Sequence, residues 1–291
     1  MTRPEYGLLP FVAGAVLGGA TVIDVRQDSE DSCSVTFDGR PWTYHDFPEL
    51  LSSKAPICRE FQLGLSAAQA LQPRRVVFRS LYGGLESLLT VIDGNPTSSH
   101  RTVEDDGTDF NEVRIEKARI PFSTSLYELL AERCSYCPRV AWMGRRLIRK
   151  SPPDTAGRLQ LNDPALAQPS IVLSAWSAAR VDDAGCSGHL WTSQETQNLF
   201  TFVIHGIAYP KVVQLGPYRG ICGVVSAPNL QLDISRENVV EDQTFRDLMD
   251  QLKTHIDTVL MPKMKRDLRF MLPLQREVGQ RFLKQWQTGQ N

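Results

Sequence analysis

Apolar and polar positions along the chain fall into blocks with two different periods. Leu9–Gly18 is apolar on every side and predicts a short, buried helix. Thr21–Val25 and Ser34–Phe37 alternate with period two and predict strands, with the polar stretch Gln27–Ser32 as the hairpin loop between them. Asp38-Gly39 is a turn signal. From Ile57 to Leu71 the period becomes helical, with Phe61, Leu65, Ala68 and Leu71 on one face. Arg75–Arg79 and Leu85–Ile92 predict strands around Tyr82-Gly83-Gly84. Asp93–His100 reads as a turn-rich loop, and Asp105-Asp106-Gly107 leads into a strand at Thr108–Ile115.

A second group of elements begins near Lys117. Ser123 can cap a helix reaching about Arg133. Strands are expected at Arg139–Met143, Ile171–Ala175, Phe200–Ile204, Val212–Leu215 and Ile221–Ser226, and residues 151–169 and 182–196 read as loops. Asp242 opens an amphipathic helix with Phe245, Leu248, Leu252 and Ile256 on one stripe, which Pro262 should end or kink. The layout is α+β, with domains expected over 1–118 and 119–240 and a helical segment over 241–291.

Composition narrows the function. The 291 residues give room for about two domains, and 42% hydrophobic against 22% charged residues can bury real cores. Basic and acidic residues number 32 and 33, a balance that argues against a surface built for nucleic acid. Cys134 and Cys137 form a lone C-S-Y-C on an expected helix. With no second pair at zinc-ribbon spacing they read as buried small residues, as expected in a reducing cytoplasm. The apolar run Leu8–Ile23 is 16 residues, short of the ~20 a membrane span needs, and the preceding MTRPEY lacks the positive bias of a signal peptide. Ser187, His189 and Asp182 or Asp183 lie close in sequence but without a G-x-S-x-G nucleophile turn, so no hydrolase triad is expected.

Four local patterns occur in a telling order: GGATVIDVRQ…SVTFDGRPW at 18–42, REFQLGLSAAQAL at 59–71, DDGTDFNEVRI at 105–115 and NLQLDISRENV at 229–239. Together they resemble the GHKL ATPase superfamily, which includes heat-shock-ninety chaperones, gyrase B, MutL and histidine kinases. The first pattern is similar to the family's helix, strand and D-x-G-x-G return strand. The second resembles the G-x-G-[FL] box, the third the Gly-Thr strand that closes the pocket, and the fourth the S-R-E segment of the chaperone middle domain. The resemblance implies a two-layer α/β sandwich of Bergerat type, then a smaller βα domain and C-terminal helices. The family's third, dimerising domain has no room in the roughly 50 residues after residue 240.

In that family a carboxylate reads the adenine amino group, an Asn and a Glu on the first helix hold Mg²⁺ and water, and a helix N-terminus meets phosphate. Aligned on the boxes, this chain puts Gly14 at the Asn, Pro10 at the Glu, Phe37 at the adenine-reading Asp, Pro41 at the last glycine of that box and Gln62 at the first glycine of the next. Asp38, Gly39, Gly64, Gly107 and Thr108 remain as a vestigial ATP pocket, and the lid between Trp42 and Arg59 is short. A one-residue slip could offer Asp38 in place of the lost carboxylate, although such a slip turns a strand side chain to the other face. Arg236 of Ser235-Arg236-Glu237 is the counterpart of the arginine that reaches the terminal phosphate; otherwise it pairs with Asp233 or Glu237. The expectation is a non-catalytic, chaperone-like module in the cytoplasm that binds a protein partner or client, without cofactor, metal or membrane. The first alternative is a divergent ATPase using Asp38, Arg236, ATP and Mg²⁺, and the second is a DNA-repair or topoisomerase-type relative, against which the charge balance argues. The segment Met261–Gln287 carries seven basic residues against two acidic ones, interleaved with Phe270, Phe282 and Trp286. Its basic helix, 263–287, is either a docking element or a helix packed on the second domain.

Overall fold

The computed structural model describes residues 4–104, 107–122, 126–137, 139–142, 145–146, 178–183, 186–193, 196–271 and 273–289. Ser123, Asp105, Asp106, the strand expected at 171–175 and the loop expected at 151–169 lie outside the described residues. The chain divides into two units, Met1–Ile148 with His205–Ile207, and Arg149–Ile204 with Ala208–Asn291. The class is α+β, as the sequence pattern implies.

In the first unit a single 3-10 turn, Pro4–Leu8, runs into helix α1, Leu9–Leu17. Nothing in α1 can face water, and Leu9 through Val16 are buried. Helices α2, Asp46–Ser52, and α3, Pro56–Ala70, follow the first hairpin, and α4, Leu126–Arg133, follows the strand Phe110–Glu116. The strands are β1 Val22–Ser29, β2 Ser32–Phe37, β3 Arg75–Tyr82, β4 Leu85–Ile92, β5 Asn95–Thr102, β6 Phe110–Glu116, β7 Arg139–Trp142 and β8 Arg145–Arg146. Their order is β5-β4-β3-β6-β2-β1-β7-β8. From β5 to β1 every pairing is antiparallel, and β7 joins β1 in parallel. Helices α1 and α3 pack on each other and against this sheet through β2 and β3.

The second unit has a five-stranded sheet ordered β12-β11-β13-β10-β9. Its strands are β9 Ala178–Asp183, β10 Cys186–Thr192, β11 Asn198–Ile204, β12 Ile207–Val213 and β13 Ile221–Ser226. The central β13 reads as an unbroken apolar run because it is buried at every position. Asp242 caps helix α5, Gln243–His255, by accepting from the Phe245 amide at 2.9 Å. Helices α6, Met261–Asp267, and α7, Pro273–Gly289, complete the unit.

Several expectations are corrected. The loop expected at Gln27–Ser32 is only a turn at Glu30-Asp31, since β1 runs on to Ser29 and β2 starts at Ser32. The loop expected at 93–100 is a two-residue turn followed by β5, every residue of which is exposed, so no apolar alternation marks it. The loop expected over 182–196 contains the hairpin β9–β10, whose small and polar residues hide the strand. The strand expected at Val212–Leu215 is β12 and starts at Ile207; Pro210 is tolerated because β12 is an edge strand. Pro262 does not end the helix. A π-helical turn at Ile256–Leu260 precedes it, and it falls in the first turn of α6, where a missing N–H breaks no bond. Strand β7 extends the first sheet, so the first unit runs past residue 118, the boundary drawn from the sequence.

Candidate functional site

Two of the residues singled out in the sequence, Asp38 and Gly39, lie where β2 ends. Phe37 is its last residue, and Asp38 follows as the chain turns. The Asp38 carboxylate is engaged at the start of β1: Oδ1 accepts from the amides of Thr21 (2.6 Å) and Val22 (2.8 Å), and Oδ2 from the Thr21 hydroxyl. Gly39 has φ 112°, and a Cβ there would lie 3.0 Å from Gly18 O and from Ala20 N, so the turn requires glycine. The Arg40 amide donates to Gly18 O at 3.1 Å. From the other side Tyr82 Oη donates to Gly39 O (2.8 Å), and Asn111 Nδ2 donates to Arg40 O (3.0 Å). Burial above all, then the charges of Asp38 and Asp109, push the Tyr82 phenol up, which keeps it protonated as a donor. The Trp42 amide donates to Ser80 Oγ at 2.9 Å. The segment Asp38–Trp42 is thus clamped between α1 and the sheet, with Trp42 turned into the core.

What Trp42 meets there is a cluster of five buried rings. Phe61 on α3 lies 4.8 Å from Trp42, nearly perpendicular, and 6.1 Å from Phe37, stacked. Phe11 on α1 and Phe78 on β3 each lie 6.3 Å from Phe61. None of the five rings is more than 5% exposed. Centroid spacings of 4.5–7 Å with tilted or perpendicular planes are those of attractive ring pairs.

Two glycines admit this packing. A Cβ on Gly14 would lie 2.9 Å from the Phe61 ring, and one on Gly64 would lie 2.5 Å from the Phe11 ring. Each helix therefore seats its phenylalanine on the other's glycine. Pro10 is buried in the first turn of α1. Gln62 donates through Nε2 to Leu50 O (3.1 Å) and Ser53 O (2.9 Å), which ties the end of α2 to α3. Beside the cluster, Arg40, Trp42, Leu50 and Cys58 wall a concavity of about 100 Å³. Ligand pockets begin at ~300 Å³.

Gly107, with φ 75°, and Thr108 are exposed on the loop before β6. Arg236 belongs to the second unit. It closes a tight turn by donating its amide to Asp233 O (2.9 Å), with its own φ at 57°. The Asp233 carboxylate holds this turn together. It accepts from the Ser235 hydroxyl (2.8 Å), the Glu237 amide (3.1 Å) and Asn238 Nδ2 (3.2 Å). Burial raises the Asp233 carboxyl, but these hydrogen bonds outweigh it and hold it below its usual range. Ser187 and His189 lie in β10 of the β9–β10 hairpin, with Asp182 across from Ser187. Among the described residues no group of three or more His, Cys, Asp or Glu could hold a metal ion, and no helix is long and apolar enough to cross a membrane.

No family model matches the chain, and no curated protein matches its sequence. Solved structures do match its fold. The gyrase B subunit of Myxococcus xanthus superposes with a TM-score of 0.57 at 10% identity, over 87% of this chain and 90% of that one. The topoisomerase IV ATP-binding domain of Francisella tularensis gives 0.57 at 12%, over 99% and 94%. The ATPase region of Saccharomyces cerevisiae topoisomerase II gives 0.55 at 12%, over 90% and 84%. The chain has the GHKL fold. At this identity the match speaks for the fold alone. Of the four sequence boxes, the first covers β1, β2 and the turn after it, the second falls on α3, the third ends in β6 and the fourth spans the Asp233–Asn238 turn of the second unit. The sequence boxes lead to Gly14, Phe37 and Gly64, but not to Phe11, Trp42, Phe61 and Phe78. The available signal was a phenylalanine or tryptophan on the inward face of each neighbouring element.

Proposed function

We propose that this chain is a GHKL-fold module that has given its nucleotide site over to an aromatic core, and that it serves as a chaperone-like scaffold or partner-binding protein without ATPase chemistry. The observation that carries this reading is the ring cluster itself. The positions aligned with the metal-holding Asn and the adenine-reading Asp are Gly14 and Phe37, and both are packed against Phe61. The residues do not fit a Mg²⁺-nucleotide: Gly14 and Pro10 bring no side-chain ligand, and Phe37 brings no acceptor. The alternative, a divergent ATPase using Asp38, asks that carboxylate to leave the Thr21 and Val22 amides uncapped at the start of β1. An amide that loses its acceptor costs ~1–3 kcal/mol only where burial keeps water from replacing it.

A phosphate-release assay with ATP and Mg²⁺ tests the reading. Turnover is expected to stay at the blank rate in the full chain. Turnover well above the blank that is lost in both Asp38→Ala and Arg236→Ala would establish the alternative.

A further inference from the structure

A wide concavity lies at the other end of the first sheet. It is walled by the end of α3 (Gln69, Gln72), the start of β3 (Arg74, Val76), the β4–β5 turn (Ile92, Asp93) and the residues after β6 (Lys117, Arg119). Val76 is four residues from Ser80, which pairs with Asn111 as Asn111 pairs with Phe37, so the cleft lies about 13 Å along the strands from Phe37 at the end of β2. Its volume of about 760 Å³ is within the ~300–1,000 Å³ of small-molecule sites.

Three cationic side chains open onto it and one acidic side chain does. Arg74, Lys117 and Arg119 are all exposed, and among the described residues none makes an ion pair. Asp31, the carboxylate whose charge Lys117 feels, already accepts from the hydroxyls of Ser29 and Ser32. The backbone holds the three cations in place. The Arg74 amide donates to Glu116 O (2.9 Å), the Arg119 amide to Leu71 O (3.0 Å) and the Lys117 amide to Ser32 Oγ (3.2 Å). Five non-glycine residues among those described have left-handed backbones, and three of them, Gln72, Asp93 and Lys117, line this cleft. Non-glycine residues adopt that conformation uncommonly, and its clustering at one concavity points to a built site.

Like charges that converge in a concave, partly apolar wall repel one another and raise the local potential, and a counter-anion relieves both. Guanidinium groups offer planar, bidentate donors to oxyanions, and lysine adds a mobile point charge. Buried Val76 and Val91 form an apolar floor, with half-exposed Ile92 beside them. We infer that this cleft binds a small oxyanion ligand carrying two or more negative charges, held by Arg74, Lys117 and Arg119 with its less polar part on Val76, Val91 and Ile92. The inference is independent of the state of the nucleotide site.

Calorimetry on the full chain at low salt, with pyrophosphate and citrate as probes, tests it. At least one probe should bind with a Kd below about 1 mM. Affinity should fall at least tenfold in Arg74→Ala/Arg119→Ala and in Lys117→Ala. It should rise in Asp93→Asn, which removes the only acidic group of the cleft. Lys54→Ala, an exposed cation outside the cleft, should leave it unchanged. A preference between the probes distinguishes a phosphate-bearing ligand from a polycarboxylate. All these side chains are exposed, so unchanged melting temperatures should accompany the substitutions. The inference is overturned if neither probe binds, or if Lys54→Ala weakens binding as much as the cleft substitutions do.

Discussion

Phe61 touches four other rings and lies on the backbone of Gly14, so a single side chain decides what the end of β2 can accommodate. Removing it should be expensive. Phe61→Ala is expected to lower the unfolding free energy by ~3–5 kcal/mol in urea titrations. Gly14→Asn, which places in α1 the Asn that the sequence resemblance implies there, should cost at least ~1–3 kcal/mol, because its Cβ must enter the Phe61 ring. The two changes act on one contact, so the double variant should be less destabilised than the sum of the single ones. Strict additivity would contradict the packing described here. The sequence made the losses at Gly14 and Phe37 legible, because a missing oxygen can be read from a one-letter code. It did not make Phe61 legible as their replacement. That requires knowing that α1 and α3 cross at their glycines, a tertiary fact that periodicity does not carry.

Among the elements, β5 depends on charge where most strands depend on apolar burial. Its residues are exposed throughout, and Arg101 reaches back to Glu86 on β4, which also accepts from Arg79 on β3 at 2.6 Å. Burial alone would raise the Glu86 carboxyl, but the hydrogen bonds from Arg101 and Arg79 outweigh it and hold it below its ordinary 4.5. A carboxyl with a lowered folded-state pKa stabilises the fold above its unfolded value, and that stability is lost as pH falls through the folded value. Thermal melts of the native chain and Glu86→Gln should therefore differ at pH 7, by about 1 kcal/mol given the solvent around Arg101, and converge only as pH falls through the lowered Glu86 value. A constant difference at all pH values would show that the carboxylate's charge plays no part. The same features explain why β5 and β10 were read as loops. Neither alternates apolar with polar residues, and each is recruited to its sheet by a hairpin partner. By contrast β3, β4, β11 and β13 carry enough β-branched and aromatic residues to be read directly.

For the whole molecule, the order of elements was the most legible feature: apolar helix, hairpin, second helix, antiparallel strands, then a second α+β unit. That order, with the boxes placed on it, led to the GHKL fold that the solved structures share. The C-terminal segment is built into the second unit, with Met264 and Phe282 fully buried and Met271 nearly so, while Phe270 stays 77% exposed under the Arg269 guanidinium. Deleting residues 263–291 should strip those side chains of burial, at ~1.5–3 kcal/mol each, and abolish the cooperative unfolding transition of the second unit. A truncated chain with an unchanged melting temperature would contradict that account and return the basic helix to the role of a free docking element.

The central claim is that the rings of Phe11, Phe37, Trp42, Phe61 and Phe78 occupy the space a nucleotide would need, and titration calorimetry with ATP and Mg²⁺ tests it most directly. The account predicts no binding tighter than about 1 mM, equivalent to roughly −4 kcal/mol. Micromolar affinity that disappears in Asp38→Ala would contradict it.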